Sequence, residues 1–361
     1  MLRDSSCAVF GVIDRSGKSL NGRLIVKAME NMHVRGNGLG AGFAVYGLYD
    51  EFKEYYCLHV MFQDIRAKSE VDEFLNSKFD IVHAEEVPVN EDVEVLNPPV
   101  FWRYFVDPQK KGNERSLSDD DYVVKCVMEI NTSINDAYVI SSGKNMGVFK
   151  GIGFPHEIAE YFMIEDYEGY MWLAHSRFPT NTPGWWGGAH PFNILDWSVV
   201  HNGEISSYGT NRRYLEMFGY CCTLMTDTEV MAYIFDLLMR KMGYPIEVVA
   251  KILAPPMWDE IDRMDEKRRK FYTTLRMVYA PLLVNGPWTV IVAHHGEMFG
   301  LTDRIRLRPI TAGEKGDLLF LSSEEAAIRA VCPDLERVWT PHGGEPVVGR
   351  LSAKALERVV S

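Results

Sequence analysis

The sequence predicts an α+β protein, in which short buried strands alternate with amphipathic helices. The run at residues 7–13 is apolar and rich in β-branched side chains, as is typical of a buried strand. A helix is predicted from Gly22, with Gly36 as its left-handed C-cap, because one apolar stripe recurs at helical spacing: Leu24, Ile25, Ala28, Met29 and Met32. Hydrophobic residues make up 47% of the 361 residues, which supplies a core large enough for such a fold.

The middle of the chain, at about residues 63–168, is predicted to be an insertion, because its residues form no chemical constellation. It contains a short helix after Ser69, a Pro-rich connection, and strands near residues 122–130 and 137–140. We expect this insertion to interrupt a single domain that spans residues 7–361.

From Tyr170 onward, short strands at residues 171–174 and 198–200 alternate with polar runs that are too hydrophilic for a core. A helix follows, begun by a capping box of Thr226 and Glu229. The remaining predicted strands lie at residues 289–293, 318–321 and 347–351. Because the polar runs follow strand ends, we expect the functional residues there.

Charge and cysteine content exclude several classes of function. Acidic residues outnumber Lys and Arg by 50 to 38, and the densest basic stretch, residues 263–270, is interrupted by acids and is typical of a solvated helix face, so a nucleic-acid partner is disfavoured. The six cysteines show no CxxC spacing, which predicts a reducing cytoplasm as the location. No apolar run reaches the ~20 residues of a membrane span, so no membrane association is expected.

Cys7 lies at the start of the first predicted strand. Taken alone, it fits a small buried core residue. Removal of residues 1–6 as a leader would instead make Cys7 the first residue, with a thiol and a free α-amine together. An α-amine titrates at about 7.7–8.0, so it can activate the thiol as a base. We therefore predict a cleaved leader at residues 1–6 and a nucleophilic Cys7.

Three further motifs follow strand ends or begin a helix. Arg177 suits the bidentate binding of a small carboxylate, although alone it fits a surface ion pair. Asn202 and Gly203 offer a side-chain amide and a backbone N–H to a developing oxyanion, although Asn-Gly is also common in turns between strands. Asp227, in the first turn of a predicted helix, can cap the helix or bind a substrate ammonium.

These motifs resemble, in their order, those of the class II glutamine amidotransferases, a family of N-terminal nucleophile hydrolases. The matching runs are Cys-Ala-Val-Phe-Gly from residue 7, Arg-Phe-Pro-Thr-Asn-Thr from 177, Ala-His-Pro-Phe from 189, His-Asn-Gly-Glu-Ile from 201 and Thr-Asp-Thr-Glu from 226. Ala8 stands where many relatives carry Gly. The run Asp-Arg-Ile-Arg-Leu-Arg-Pro at residues 303–309 and the long separation of Cys7 from Arg177 make the glutamate synthase branch the most similar.

The resemblance implies a four-layer αββα sandwich and a role for each matched residue. Cys7 would attack the side-chain amide of glutamine, and Asn202 with Gly203 would form the oxyanion hole. Arg177 would hold the α-carboxylate of the substrate. The other implied substrate-binding residues are Asp227, for the α-ammonium, and Thr180 and His190, as supporting pocket residues.

The resemblance also implies a partner. Glutamine would be hydrolysed to glutamate through a γ-glutamyl thioester, and the ammonia would pass to a glutamate-synthase-like synthase subunit that carries a flavin and an iron–sulfur cluster. No cofactor is expected in this chain, because it lacks a cysteine cluster for iron–sulfur ligation and a dinucleotide-binding fingerprint.

Three alternatives stay open. The chain could be the amidotransferase-like subunit of an N-methylglutamate synthase, or a catalytically inactive scaffold with the same fold. A metal hydrolase is a weaker alternative, because no helical HExxH spacing is present and no metal ligand set is expected. The histidines that prompt it are His175, His190, His201, His294 and His295.

Overall fold

The computed structural model describes residues 6–179 and 184–360, and two large antiparallel β-sheets stack face to face in it. The strands are β1 (Ala8–Asp14), β2 (Leu20–Asn21), β3 (Ala41–Tyr46), β4 (Tyr56–Phe62), β5 (Phe79–Glu86), β6 (Val100–Pro108), β7 (Ala137–Ser141), β8 (Met146–Gly151), β9 (Glu168–Gly169), β10 (Met171–Ser176), β11 (Phe192–Ile194), β12 (Trp197–Gly203), β13 (Trp288–His294), β14 (Glu297–Thr302), β15 (Thr311–Lys315), β16 (Leu318–Ser322), β17 (Arg337–Trp339) and β18 (Val347–Arg350).

The α-helices of the described residues are α1 (Arg23–Asn31), α2 (Lys68–Lys78), α3 (Asp119–Ser133), α4 (Pro155–Tyr161), α5 (Tyr208–Glu216), α6 (Asp227–Phe235), α7 (Ile246–Leu253), α8 (Trp258–Asp262), α9 (Glu266–Val278), α10 (Glu325–Val331) and α11 (Ala353–Val360). None of them combines the length and the apolar character that a membrane crossing requires.

Within the described residues, one sheet has seven strands in the order β17-β15-β16-β1-β10-β3-β8, and the other has five in the order β11-β12-β13-β14-β18. Alternate side chains of the strands, such as Val9 in β1 and Val200 in β12, meet in a core between the two sheets. The opposite face of the first sheet, with Phe10, packs under α1, α4 and α10. Val290 and its neighbours on the second sheet pack under α6 and α7. The prediction of a four-layer αββα sandwich is therefore confirmed.

A third sheet, in the order β5-β6-β4-β7, lies between β3 and β8 in the chain and packs against α2 and α3. It includes β4, which precedes the predicted insertion at 63–168. Strand β8 and helix α4, in the second half of that range, belong to the main sandwich. The insertion into a single domain 7–361 stays a prediction.

Several local predictions need correction. Residues 122–130 form part of α3, because Ser118 caps the helix by accepting the N–H of Asp121 at 3.1 Å. The β-branched side chains there had favoured a strand. Helix α1 ends with Met32 as its C-cap, and Gly36 has an extended backbone with φ −81°. Residues 266–270 of the basic stretch are confirmed as part of a solvated helix, since α9 has no buried residue, whereas Arg263 is the C-cap of α8.

Candidate active site

A cavity of about 210 Å³ opens where β1 begins and where β10 and β12 end. Five of the predicted residues line it: Cys7, Arg177, His190, Gly203 and Asp227. These residues lie far apart in the sequence and are brought together because the antiparallel pairing of β1 with β10 places Ala8 opposite Ser176. The volume is below the range typical of drug-sized ligands, which suits a smaller molecule.

Cys7 lies on the inner face of its sheet, because it alternates with Ala8 and shares a face with Val9. Its Sγ accepts a hydrogen bond from the backbone N–H of Phe178 at 3.2 Å. Burial raises the pKa of the Cys7 thiol, while the Phe178 N–H and the Arg177 charge act in the opposite direction. The thiol therefore needs a base nearby to act as a nucleophile at neutral pH.

The residues before Cys7 are held at the edge of this site. Arg35 donates to the backbone oxygen of Cys7 at 3.2 Å and forms an ion pair with Glu324 at 2.6 Å. The same guanidinium bonds the hydroxyl of Ser6. In this chain the nitrogen of Cys7 is part of the peptide bond to Ser6, so it is not an amine. The predicted cleavage of residues 1–6 stays a prediction, and residues 1–5 lie outside the described part of the chain.

Arg177 directly follows β10 and is 3% exposed. Its side chain is enclosed by two glycines: a Cβ at Gly40 would lie 3.1 Å from its Cδ, and a Cβ at Gly188 would lie 3.2 Å from its Nη1. Burial lowers the pKa of the guanidinium, which the nearby Asp227 and Glu204 carboxylates oppose. An arginine stays charged under these conditions, so Arg177 presents a cation to the cavity.

Asn202 and Gly203 end β12, where the chain turns into the cavity wall. Gly203 has φ +137°, and a Cβ there would lie 1.9 Å from the carbonyl oxygen of Pro287, so only glycine fits. Asn202 is 3% exposed and, unlike Gly203, is not among the residues that line the cavity. Its Oδ1 has no hydrogen-bond partner among the described residues. This unpaired atom is an acceptor, so it does not bear on the predicted oxyanion role, which requires the N–H groups of the same amide.

Asp227 is the first residue of α6, and its carboxylate faces the cavity. Its Oδ2 accepts the backbone N–H of Ile205 at 2.9 Å, and its Oδ1 lies 3.8 Å from Nδ1 of His201. The carboxylate and the Arg177 guanidinium thus line one cavity with opposite charges. Such a pair can bind the two charged groups of an α-amino acid.

The capping box predicted at this helix is only half present. Thr226 caps α6 by accepting the N–H of Thr228 at 3.1 Å. Glu229 instead accepts the N–H groups of Thr223 and Leu224, at 3.0 and 2.9 Å, so it braces the preceding loop.

A buried cluster of three histidines, which sequence reasoning did not assemble, supports the site. The rings of His175 and His190 stack with their centroids 3.8 Å apart. The hydroxyl of Thr228 lies 2.7 Å from Nε2 of His190 and 3.0 Å from Nδ1 of His201. Burial lowers the pKa of all three rings, that of His175 to about 3, so they are neutral near pH 7. Spacing could not reveal the cluster, because its histidines come from β10, from β12 and from the segment before β11.

Among the described residues, no group of three or more His, Cys, Asp or Glu side chains is arranged to hold a metal ion. One ring nitrogen of each histidine contacts the protein: Nε2 of His175 lies 2.9 Å from the backbone oxygen of His201, and Nδ1 of His201 lies 3.0 Å from the Thr228 hydroxyl.

The run at residues 303–309 forms a tight loop beside the site. The carboxylate of Asp303 accepts backbone N–H groups of Leu307 at 2.8 Å and of Ile305 at 3.1 Å. The Arg308 charge acts on Cys7, where it lowers the thiol pKa. Asp303 therefore stabilises the loop through these hydrogen bonds, and Arg308 brings a positive charge close enough to influence the Cys7 thiol. The predicted pocket residue Thr180 lies outside the described residues.

The chain is similar in sequence to a known family and to individual proteins. A family defined by the description "Glutamine amidotransferases class-II" matches residues 56–336. An uncharacterized protein of Archaeoglobus fulgidus is 74% identical over 355 residues, which covers 98% of this chain and 94% of that protein. The large chain of glutamate synthase [NADPH] from Bacillus subtilis is 27% identical over 214 residues, covering 54% of this chain and 14% of its own.

The fold also has a likeness among solved structures. A glutamine phosphoribosylpyrophosphate amidotransferase from B. subtilis aligns with 96% of this chain at 14% identity and a TM-score of 0.45. This chain spans about half, 50%, of that solved chain.

Proposed function

Because the chain belongs to the class II glutamine amidotransferases, we propose that it hydrolyses L-glutamine through a γ-glutamyl thioester on Cys7 and passes the ammonia to a glutamate-synthase-like partner. One observation carries the proposal. The Cys7 thiol, the Arg177 guanidinium and the Asp227 carboxylate line the same cavity of about 210 Å³. A nucleophile between a fixed cation and a fixed anion suits an α-amino acid whose side chain is attacked.

The binding geometry follows from charge. Arg177 pairs with the α-carboxylate, which accepts two parallel hydrogen bonds from a guanidinium. Asp227 pairs with the α-ammonium. With both charged groups held, the carboxamide of glutamine reaches Cys7 at the start of β1. The oxyanion that forms on that carbonyl is stabilised by Asn202 and by the backbone N–H of Gly203.

The reaction needs the α-amine of Cys7, which exists only after residues 1–6 are removed. The amine takes the thiol proton as Sγ bonds to the carboxamide carbon. The same proton passes to the amide nitrogen as the C–N bond breaks, and ammonia leaves. Water then adds to the thioester carbon, the C–S bond breaks, and glutamate leaves with the thiol restored. The neutral histidine cluster takes no part in these proton transfers, because its rings are buried and their pKa values are lowered.

The acceptor of the ammonia is a separate part of the proposal. The run at residues 303–309 and the similarity to a glutamate synthase large chain support a synthase partner that carries a flavin and an iron–sulfur cluster. We place this reaction in the cytoplasm, where the free cysteines of the chain stay reduced.

A glutaminase assay with purified protein tests the proposal. Chain that starts at Cys7 should release glutamate and ammonia in equal amounts from L-glutamine. No glutamate from that chain, alone or with the subunit that co-purifies from the native source, would favour an inactive scaffold. Methylamine incorporation by the native complex, in place of ammonia, would identify an N-methylglutamate synthase instead.

A further inference from the structure

Lys150 is a fully buried lysine that the proposed reaction does not use. It lies on β8, at the edge of the seven-stranded sheet, and is 0% exposed. Its Nζ donates to the carbonyl oxygens of Gly187 at 3.0 Å and Pro191 at 3.3 Å, and it lies 4.4 Å from the centre of the Phe192 ring. Lysine is almost never fully buried unless its charge is paired, so this arrangement needs an explanation.

The two carbonyls belong to a segment that runs along the active site, residues 187–191. This segment contributes His190 to the cavity wall. Its Gly188 lies against Nη1 of Arg177, where a Cβ would approach within 3.2 Å. Gly40 also adjoins Arg177, and its added Cβ would be 3.4 Å from Cβ of Ala189 in the same segment. The segment 187–191 thus packs against Arg177. Lys150 donates a hydrogen bond to the first and to the last residue of this segment.

We propose that Lys150 is a positioning residue for Arg177: its ammonium fixes the segment 187–191, and the segment keeps the guanidinium aimed at the α-carboxylate of the substrate. This inference rests on the proposed function, because it takes glutamine as the substrate. It makes Lys150 a determinant of substrate affinity without contact to the substrate.

The charges around Lys150 agree with this role. Burial lowers the pKa of Lys150 to about 7, and Arg177 acts in the same direction. Glu229 on α6 opposes both and favours the ammonium form. Lys150 also lowers the pKa of His190 on the held segment. The ammonium form, which donates to both carbonyls, is thus favoured by the Glu229 carboxylate and disfavoured by the Arg177 charge.

Glu229 is in turn fixed by the loop that forms the opposite wall of the cavity. It accepts the N–H of Leu224 and the hydroxyl of Tyr233, both at 2.9 Å. Burial raises the pKa of Glu229 to about 7, which the Lys150 charge opposes. From its position on the helix that carries Asp227, Glu229 thus favours the ammonium form of Lys150.

Steady-state kinetics on two substrates test the proposal. In chain starting at Cys7, Lys150→Met, which keeps the shape of the side chain and removes its charge, should raise KM for L-glutamine about tenfold and change kcat less than about threefold. L-glutaminamide, the analogue whose α-carboxylate is a neutral amide, makes no ion pair with Arg177. The same variant should change kcat/KM for that analogue less than about threefold.

Matched variants separate positioning from general damage. Lys144→Met removes another lysine that lies over an aromatic ring, 4.6 Å from the centre of Tyr56, and should leave both substrates unaffected. If Lys150→Met does not fold, Lys150→Gln, which keeps an N–H donor, is the variant to measure. It should raise KM for L-glutamine but not for L-glutaminamide. The proposal is overturned if the Lys150 variant leaves KM for L-glutamine unchanged, or if it lowers kcat/KM by the same factor for both substrates. Unsubstituted chain that neither hydrolyses glutamine nor binds glutamate in calorimetry would instead overturn the proposed function itself.

Discussion

The Sγ atom of Cys7 lies 3.2 Å from the backbone N–H of Phe178, the residue that directly follows Arg177. One short segment after β10 therefore contacts the proposed nucleophile with its backbone and supplies the proposed substrate-binding cation with its side chain. The distance between Sγ of Cys7 and the Arg177 guanidinium is set by this segment and by the pairing of β1 with β10. Fixed geometry of this kind is a main source of rate acceleration by enzymes.

The pKa of Cys7 predicts slow alkylation of the uncleaved chain. Because burial raises the pKa of this thiol, its thiolate fraction at a given pH is smaller than that of free cysteine. Iodoacetamide should therefore label Cys7 more slowly than free cysteine between pH 7 and 9, and the rate should rise about tenfold per pH unit in that range. Peptide mass spectrometry gives the rate at Cys7 separately from the other five cysteines. In urea the difference should disappear, and faster labelling of folded Cys7 than of free cysteine at pH 7 would refute the expectation.

Arg177→Met should weaken glutamine binding by removing the cation for the α-carboxylate. Loss of a bidentate, charge-assisted pair costs about 3 kcal/mol, which corresponds to a rise in KM of roughly 100-fold. L-glutaminamide, which lacks that carboxylate, provides the comparison, and its kcat/KM should fall less than about threefold. If kcat/KM fell by the same factor for both substrates, Arg177 would not be the residue that binds the α-carboxylate.

Asp227→Asn should impair the reaction of substrates that carry an α-ammonium and spare a substrate that lacks it. The variant keeps an oxygen that can accept the N–H of Ile205 but loses the negative charge for the α-ammonium. We expect KM for L-glutamine to rise about tenfold, the cost of one charged contact. The matched substrate is 4-carbamoylbutanoate, which is glutamine without its amino group, and its kcat/KM should be unchanged within about threefold. If kcat/KM for 4-carbamoylbutanoate fell as much as that for L-glutamine, Asp227 would have a role other than binding the α-ammonium.

Thr228→Val should destabilise the fold around the histidine cluster. The hydroxyl lies between ring nitrogens of His190 and His201, and the second nitrogen of each ring already has no partner among the described residues. Removing the hydroxyl leaves two more buried polar atoms unpaired, at a cost of about 2–4 kcal/mol. Urea denaturation measures the free energy of unfolding. Thr228→Ser, which keeps the hydroxyl, should lose less than about 1 kcal/mol, and equal losses in both variants would contradict the assigned contacts.

Local patterns predicted the strand at β1 and the helix at α1, because each has a continuous apolar face. They failed at residues 122–130, where the cap from Ser118 and the acidic first turn outweigh the preference of Val123 and Val124 for strands. The site residues Arg177, Gly203 and Asp227 were predictable because each stands at the end of a strand or the start of a helix.

The supporting groups could not be predicted in the same way. Lys150 is buried only because the segment 187–191 folds over β8, and nothing near position 150 indicates it. Glu229 is predicted as half of a capping box, whereas its side chain accepts an N–H of the loop before the helix. The contact of the Thr228 hydroxyl with His190 has no signal in the sequence. These contacts depend on tertiary structure, which periodicity and spacing do not contain.

Glutamate release by chain that begins at Cys7 tests the central claim most directly. A cleavable fusion can expose Cys7 as the first residue, and intact-protein mass spectrometry confirms that start. We predict one glutamate and one ammonia per glutamine consumed, no activity in the same chain with Cys7→Ala, and no activity in protein whose mass shows residues 1–6 still attached. Equal glutaminase activity in Cys7→Ala, or full activity in protein that retains residues 1–6, would contradict an N-terminal cysteine nucleophile.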